Sequence, residues 1–235
     1  MAILSALVLA TIVTVARAQS LTVVNKCSES VFLYTSTSYG SIDTNVNIAQ
    51  GQSANLGISS NWDGAINVGT GCNSGGTTCT TGGPTWDGNT PFSRAEFNFY
   101  AIPGKVTYDL SFIYGYNVGM EISSADSSCD AFACTISSGC PVPGPGSDTC
   151  YSPCCSSASA CSGGALPAGG GGCVNNEGPG PNSPFYYDTC YNAYAFPDND
   201  GANGYVPADF VVYTCGNTDI TLTLCPGVAN SHYTS

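Results

Sequence analysis

Fourteen cysteines, an even number and all of them downstream of an apolar leader, constrain this chain more than any other feature. Thiols in that number and context are read as paired disulfides of a protein made for an oxidising compartment, not as metal sites or catalytic thiols. A single histidine, His232, stands near the C-terminus. That leaves almost nothing from which to build a Cys/His zinc cluster, and no positioned imidazole for Ser-His-Asp or Cys-His catalysis. No cofactor and no metal are expected.

The leader itself, MAILSALVLATIVTVARA over residues 1–18, closes on Ala16-Arg17-Ala18, the small-residue pattern that signal peptidase cleaves. We therefore expect residues 19–235 to form the mature domain, secreted to the extracellular space or the cell wall. No later segment reaches membrane-spanning length, and the tail GVANSHYTS lacks the apolar stretch of a lipid-anchor signal.

Beyond the leader only Lys26, Arg94 and Lys105 oppose sixteen acids, and the whole chain carries a formal charge of −12. Such a balance repels nucleic acid and anionic membrane alike. With 9% charged residues, the fold cannot depend on surface ion pairs.

Short runs rich in β-branched and aromatic residues recur between turn formers: LTVVNK, SVFLYTST, AEFNFYAI, VTYDLSFIYGY, DFVVYTC and ITLTLC. They predict strands. The 29 glycines and 14 prolines interrupt the chain too often for helices of ordinary length. The fold class is therefore mainly β, two packed sheets or a flattened barrel with little helix. Nine of the cysteines fall between Cys129 and Cys190, among Ser, Gly and Pro, and this stretch reads as a loop-rich, stapled excursion from the sandwich. Within it, residues 162–173 are low-complexity and cannot order themselves by burial. The segment FYYDTCYNAYAF, 185–196, is the place for a short helix or an irregular aromatic turn.

YDLSFIYGYNVGMEI from Tyr108 resembles the signature of the thaumatin-like (osmotin-like) family, in which a strand ends in Gly, an aromatic, Asn and then Met. AEF at 95–97 precedes it, and CYNAYAF at 190–196 is similar to the family's Cys-Pro-Asp-Ala-Tyr-Ser-Tyr segment. VVNKC, WDGAINVGTGC and TLTLCP are similar to further family blocks, so the resemblance spans nearly all of the mature chain. It implies a β-sandwich core, a disulfide-rich loop region and a cleft between them. It also implies the pairs Cys27–Cys225, Cys129–Cys215, Cys134–Cys190 and Cys72–Cys79. Members usually carry more than fourteen cysteines; TTGGPTWDG after Cys79 stands where another small cysteine loop is expected. For the remaining thiols we expect Cys150–Cys154, Cys155–Cys161 and Cys140–Cys173.

The family surrounds its cleft with an arginine and several acids. Glu96 and Asp109 match that set, whereas Gly69 replaces the arginine, Tyr114 a second aspartate and Asn192 the aspartate of the aromatic turn. Glycoside hydrolysis ordinarily needs one protonated carboxyl and one ionised carboxyl. Glu96 reads as general acid or as an exposed strand glutamate, and Asp109 as second carboxylate or as an acid bonded to backbone amides. Arg94, two residues before Glu96, shares its strand face and can substitute for the lost arginine or form a plain ion pair. Tyr114, Tyr116, Tyr187 and Tyr194, with Asn192, are candidate sugar-binding residues, since aromatic faces stack on pyranose rings; packing is the alternative for each tyrosine.

The expected function is a cell-wall polysaccharide-binding protein, acting as a monomer on β-1,3-glucan with weak or absent hydrolysis. The alternatives are an active endo-β-1,3-glucanase using Glu96 and Asp109, or a non-catalytic antifungal defence protein.

Overall fold

The computed structural model describes residues 19–161 and 178–234; the leader and the glycine-rich stretch 162–173 lie outside the described residues. The first strands follow the alternation of the sequence. In β1 (Leu21–Asn25) every second residue is buried, which is what a strand with one covered face requires. β1 pairs in parallel with the last strand, β12 (Ile220–Leu224), and antiparallel with β4 (Ser53–Leu56). β8 (Met120–Ser124) and β9 (Phe132–Cys134) complete a five-stranded sheet in the order β4-β1-β12-β8-β9.

The second sheet is seven-stranded. β2 (Val31–Tyr39) lies between β3 (Val46–Ile48) and β5 (Asp63–Thr70), followed by β6 (Arg94–Asn98) and β7 (Lys105–Ser111). The far edge of β7 is shared: β11 (Val212–Gly216) runs antiparallel along Lys105–Asp109, and β10 (Ala193–Tyr194) pairs in parallel with Leu110 and Ser111. Leu21, Leu222 and Ile122 of the smaller sheet belong to one buried cluster with Ile66, Phe97 and Tyr108 of the larger. The inner face of the larger sheet is thus apolar, and its outer face is left for polar residues.

The sequence runs predict β1, β2, β6, β7, β11 and β12 in place. β7 stops earlier than its apolar run, because Phe112–Gly115 closes a turn in which the Gly115 amide donates to the Phe112 carbonyl at 2.8 Å. A Cβ at residue 115 would lie 2.5 Å from the Cys150 carbonyl oxygen, so that turn requires glycine. The aromatic segment holds both a helix, α2 (Ser183–Thr189), and the short β10. A one-turn helix, α1 (Ala158–Cys161), precedes it.

Disulfides join Cys27–Cys225, Cys72–Cys79, Cys129–Cys215, Cys134–Cys190 and Cys155–Cys161. Two expected pairs are overturned, since Cys140 bonds to Cys150 and leaves neither Cys150–Cys154 nor Cys140–Cys173. The physical reason is a local pairing: Gly144 donates to the Thr149 carbonyl at 2.9 Å and Tyr151 to the Val142 carbonyl at 2.9 Å, which folds 140–151 back on itself. Cys154 is disulfide-bonded as well, while Cys173 lies outside the described residues.

Candidate functional site

The outer face of the larger sheet is assembled by register. Glu96 on β6 stands directly opposite Asp109 on β7 and Ala65 on β5; one pair along, Arg94 stands opposite Ser111 and Asn67. Directly opposed side chains on one face are close enough to interact, so two acids separated by thirteen positions in sequence become neighbours. Arg94 is fixed on three sides. Its Nε donates to Asn67 Oδ1 at 2.8 Å, its Nη1 approaches Glu96 Oε1 at 3.2 Å, and its guanidinium lies 4.6 Å from the centre of the Tyr114 ring. Tyr114 in turn stacks on Phe92 and contacts Trp86, which gives the groove an aromatic edge.

Asp109 is strongly perturbed by its surroundings. Burial raises its pKa well above the usual carboxylate range, and the facing Glu96 carboxyl adds to this; Arg94 opposes the shift and Asp200 reinforces it. Asp109 Oδ1 has no hydrogen-bond partner among the described residues. Asp109 therefore keeps its proton to a higher pH than an ordinary aspartate does. The Tyr194 phenol is likewise pushed up, by burial first and then by the charges of Asp109 and Asp200, and it donates to Asp200 Oδ2 at 3.2 Å.

Two adjoining hollows share Arg94, Glu96 and Asp109. One, about 310 Å³, continues toward Tyr114, Tyr194 and Pro197; the other, about 350 Å³, continues toward Ser36, Ser38, Asp63 and Asn98. Together they make a groove across the sheet, acidic in the middle and aromatic at one end. A larger hollow of about 590 Å³ lies elsewhere, near Lys26, Thr135 and Asp148, and contains no facing pair of acids.

Of the candidate residues, the structure gathers Glu96, Asp109, Arg94, Tyr114 and Tyr194 in this groove. It does not bring Tyr116, Tyr187 or Asn192 to it. Tyr116 is 3% exposed and packs edge-on against Phe112, with its phenol pushed up to about 12 by burial. Tyr187, on α2, packs against the apolar core. Asn192 is 2% exposed and works as a structural tie: it donates to the carbonyls of Phe210 and Tyr233 and accepts from the Tyr233 amide at 2.9 Å. Asn67 and Asp200 are site residues that sequence reasoning missed. Asn67 sits in WDGAINVGTGC, and strand parity with Arg94 is the signal that finds it once the β5–β6 pairing is known.

No helix of the described residues is long and apolar enough to cross a membrane. One cluster of potential metal ligands occurs among them, Asp126 with Cys129 and Cys215, but those two sulfurs are already bonded to each other.

A sandwich of two β-sheets, stapled by disulfides and carrying an acidic groove outside its larger sheet, is the thaumatin-like fold. The Thaumatin family model matches residues 25–226, and the chain belongs to that family. It is 30% identical over 224 residues to "Pathogenesis-related thaumatin-like protein 3.5" of Cryptomeria japonica, covering 87% of this chain and 89% of that protein. To "Pathogenesis-related thaumatin-like protein 3.7" of the same organism it is 27% identical over 145 residues, 59% of this chain and 56% of the relative. Among solved structures, the thaumatin-like xylanase inhibitor TLXI is 19% identical with a TM-score of 0.46, over 88% of this chain and 99% of that one.

Proposed function

We propose that this protein is secreted and acts as a single chain that binds cell-wall polysaccharide, β-1,3-glucan in the first instance, with little or no hydrolysis. The observation that carries the reading is the register that sets Glu96 directly opposite Asp109 at the centre of an aromatic-edged groove. Glycosidases keep their two carboxyl groups roughly 5–5.5 Å apart when one attacks the sugar, or roughly 6.5–9.5 Å apart when a water stands between them. Directly opposed strand residues hold their Cβ atoms about 4.5–5.5 Å apart, and carboxyls that close on each other from those positions leave no room for the anomeric carbon or the water. The same pair presents acceptors and one acidic donor to sugar hydroxyls, while Tyr114 and Tyr194 offer ring faces and edges beside them. Acidic groove walls also select a neutral polymer over a uronic or sulfated one. The description of the relatives as pathogenesis-related supports a defence setting for such binding.

Retention on insoluble β-1,3-glucan tests the binding, and reducing-sugar release from the same polymer, wild type against Glu96→Gln, tests the chemistry. We expect retention, and release at background for both proteins. Release by the wild type that vanishes in the variant would make the protein a glucanase; no retention would remove the glucan reading.

A further inference from the structure

The groove does not end at its acids. On β2 the register slips by one residue between Thr37 and Tyr39, so that Tyr39, not Ser38, comes to lie opposite Asp63. A bulge of this kind re-aims a side chain, and here it brings Tyr39 to the outer face shared by Asp63, Asn98 and Glu96. Immediately after β6, Tyr100 meets it: the two rings stack at 4.1 Å between centres with 28° between planes. Both remain open to solvent, Tyr39 at 46% and Tyr100 at 52%. The pair is held from behind. Asn98 Oδ1 accepts from the amides of Tyr100 at 2.9 Å and Ala101 at 2.7 Å, and Gly40 takes a positive φ of 75° beside the Trp62 backbone, where a Cβ would come within 2.9 Å.

We propose that Tyr39 and Tyr100 form a distal stacking platform, and that the ligand of this groove is an extended, neutral polysaccharide chain lying along β6 from Tyr114 past Glu96 to Tyr100. This rests on the glucan-binding reading above and adds to it the length and course of the ligand. Between Arg94 and Asn98 β6 advances about 13 Å at the rise of a strand, and Tyr100 lies beyond its end, so a ligand reaching from Tyr114 to Tyr100 spans more than one sugar ring. The intervening wall supplies Ser36, Ser38, Asn98 and Thr107, hydroxyl and amide groups suited to pair with sugar hydroxyls. A stacked aromatic pair that costs little to order and is already fixed by local bonds is a pre-organised surface for a pyranose face.

Calorimetric titration with β-1,3-gluco-oligosaccharides of increasing length tests this on the wild type, Tyr39→Ala, Tyr100→Ala, the double variant, Tyr100→Trp and Arg94→Ala. We expect wild-type affinity to climb with length until the ligand reaches from Tyr114 to Tyr100. The double variant should lose about tenfold on the long ligand and nothing on the short one, Tyr100→Trp should keep the length dependence, and Arg94→Ala should weaken both ligands. If the wild type binds glucan while the double variant binds long and short chains like the wild type, or loses equally on both, the platform is wrong and the central site stands. If the wild type binds no glucan of any length, the glucan reading falls and takes the platform with it. Tyr100→Trp keeps the test decisive where an alanine variant fails to fold, since loss of its length dependence in a folded protein overturns the platform.

Discussion

A carboxyl group that is buried next to a second carboxyl gives up its proton reluctantly, and Asp109 is in that position beside Glu96. Its folded-state pKa lies above the value of an unfolded aspartate, so the native state binds more protons through that window. Stability then falls as pH rises from the ordinary aspartate pKa toward the raised one. Asp109→Asn removes this slope and should raise stability at neutral pH by about 1 kcal/mol, or roughly 2–4 °C in Tm; thermal melts at acid and neutral pH check it, and an unchanged pH profile would contradict it. Arg94 makes a different argument. Its planar fork reaches Asn67 and Glu96 at once while stacking on Tyr114, which a lysine cannot reproduce. Arg94→Lys should keep the charge and still weaken glucan retention about threefold to tenfold, by the roughly 0.5–1.5 kcal/mol that such contacts carry. At this scale the sequence showed Glu96 and Asp109 through their motifs and Arg94 through strand parity. It hid Asn67 and Asp200, which reach the site only through the pairing of distant segments. Gly69 explains the missing arginine: a Cβ there would sit 2.9 Å from both sulfurs of Cys72–Cys79, so the cation has to come from the neighbouring strand.

At the scale of elements, long runs of β-branched and aromatic residues were legible and short polar ones were not. β3 and β4 consist of only a few residues, VNI and SANL, and owe their strand form to edge pairing with β2 and β1, not to propensity. The bulge in β2 was equally invisible, because Ser-Thr-Ser-Tyr carries no glycine to mark it. What positions the loops around the groove is Asn117, buried in the signature following β7. It donates to the Val68 carbonyl at 2.8 Å and to Thr81 Oγ1 at 2.9 Å, and its Oδ1 accepts from the Ser93 amide at 2.8 Å. One side chain thus ties β5, the loop after Cys79 and the residue entering β6. Asn117→Ala leaves a buried amide and a carbonyl unpaired, a loss of about 2 kcal/mol or more. Chemical denaturation should show it as a lower midpoint with an unchanged slope, and an effect below about 0.5 kcal/mol would mean that water takes over these bonds.

The molecule as a whole closes on itself, since its first and last strands are adjacent and parallel and Cys27–Cys225 fastens them across a sequence separation of 198. In the chain-entropy account a cross-link restrains the unfolded state more as its loop lengthens, by about 3 kcal/mol for a loop of roughly fifteen residues and nearer 5 for a hundred. The Cys72–Cys79 bond spans only 7 positions, but it is packed against Gly69 and accepts contact from the Tyr34 hydroxyl. The two bonds therefore stabilise in different ways, one by restraining the unfolded chain and the other by filling a site in the folded one. Cys27→Ala with Cys225→Ala should lower stability by about 3–5 kcal/mol and leave glucan retention intact in the folded fraction, because the groove lies on the other sheet. Cys72→Ala with Cys79→Ala should cost less in stability and more in retention, since the loop after Cys79 leads to Trp86 at the aromatic edge of the groove. Denaturation midpoints measured beside glucan pull-down separate the two effects; a reversed order would place the main restraint of this fold in its local packing and not in the closure of its ends.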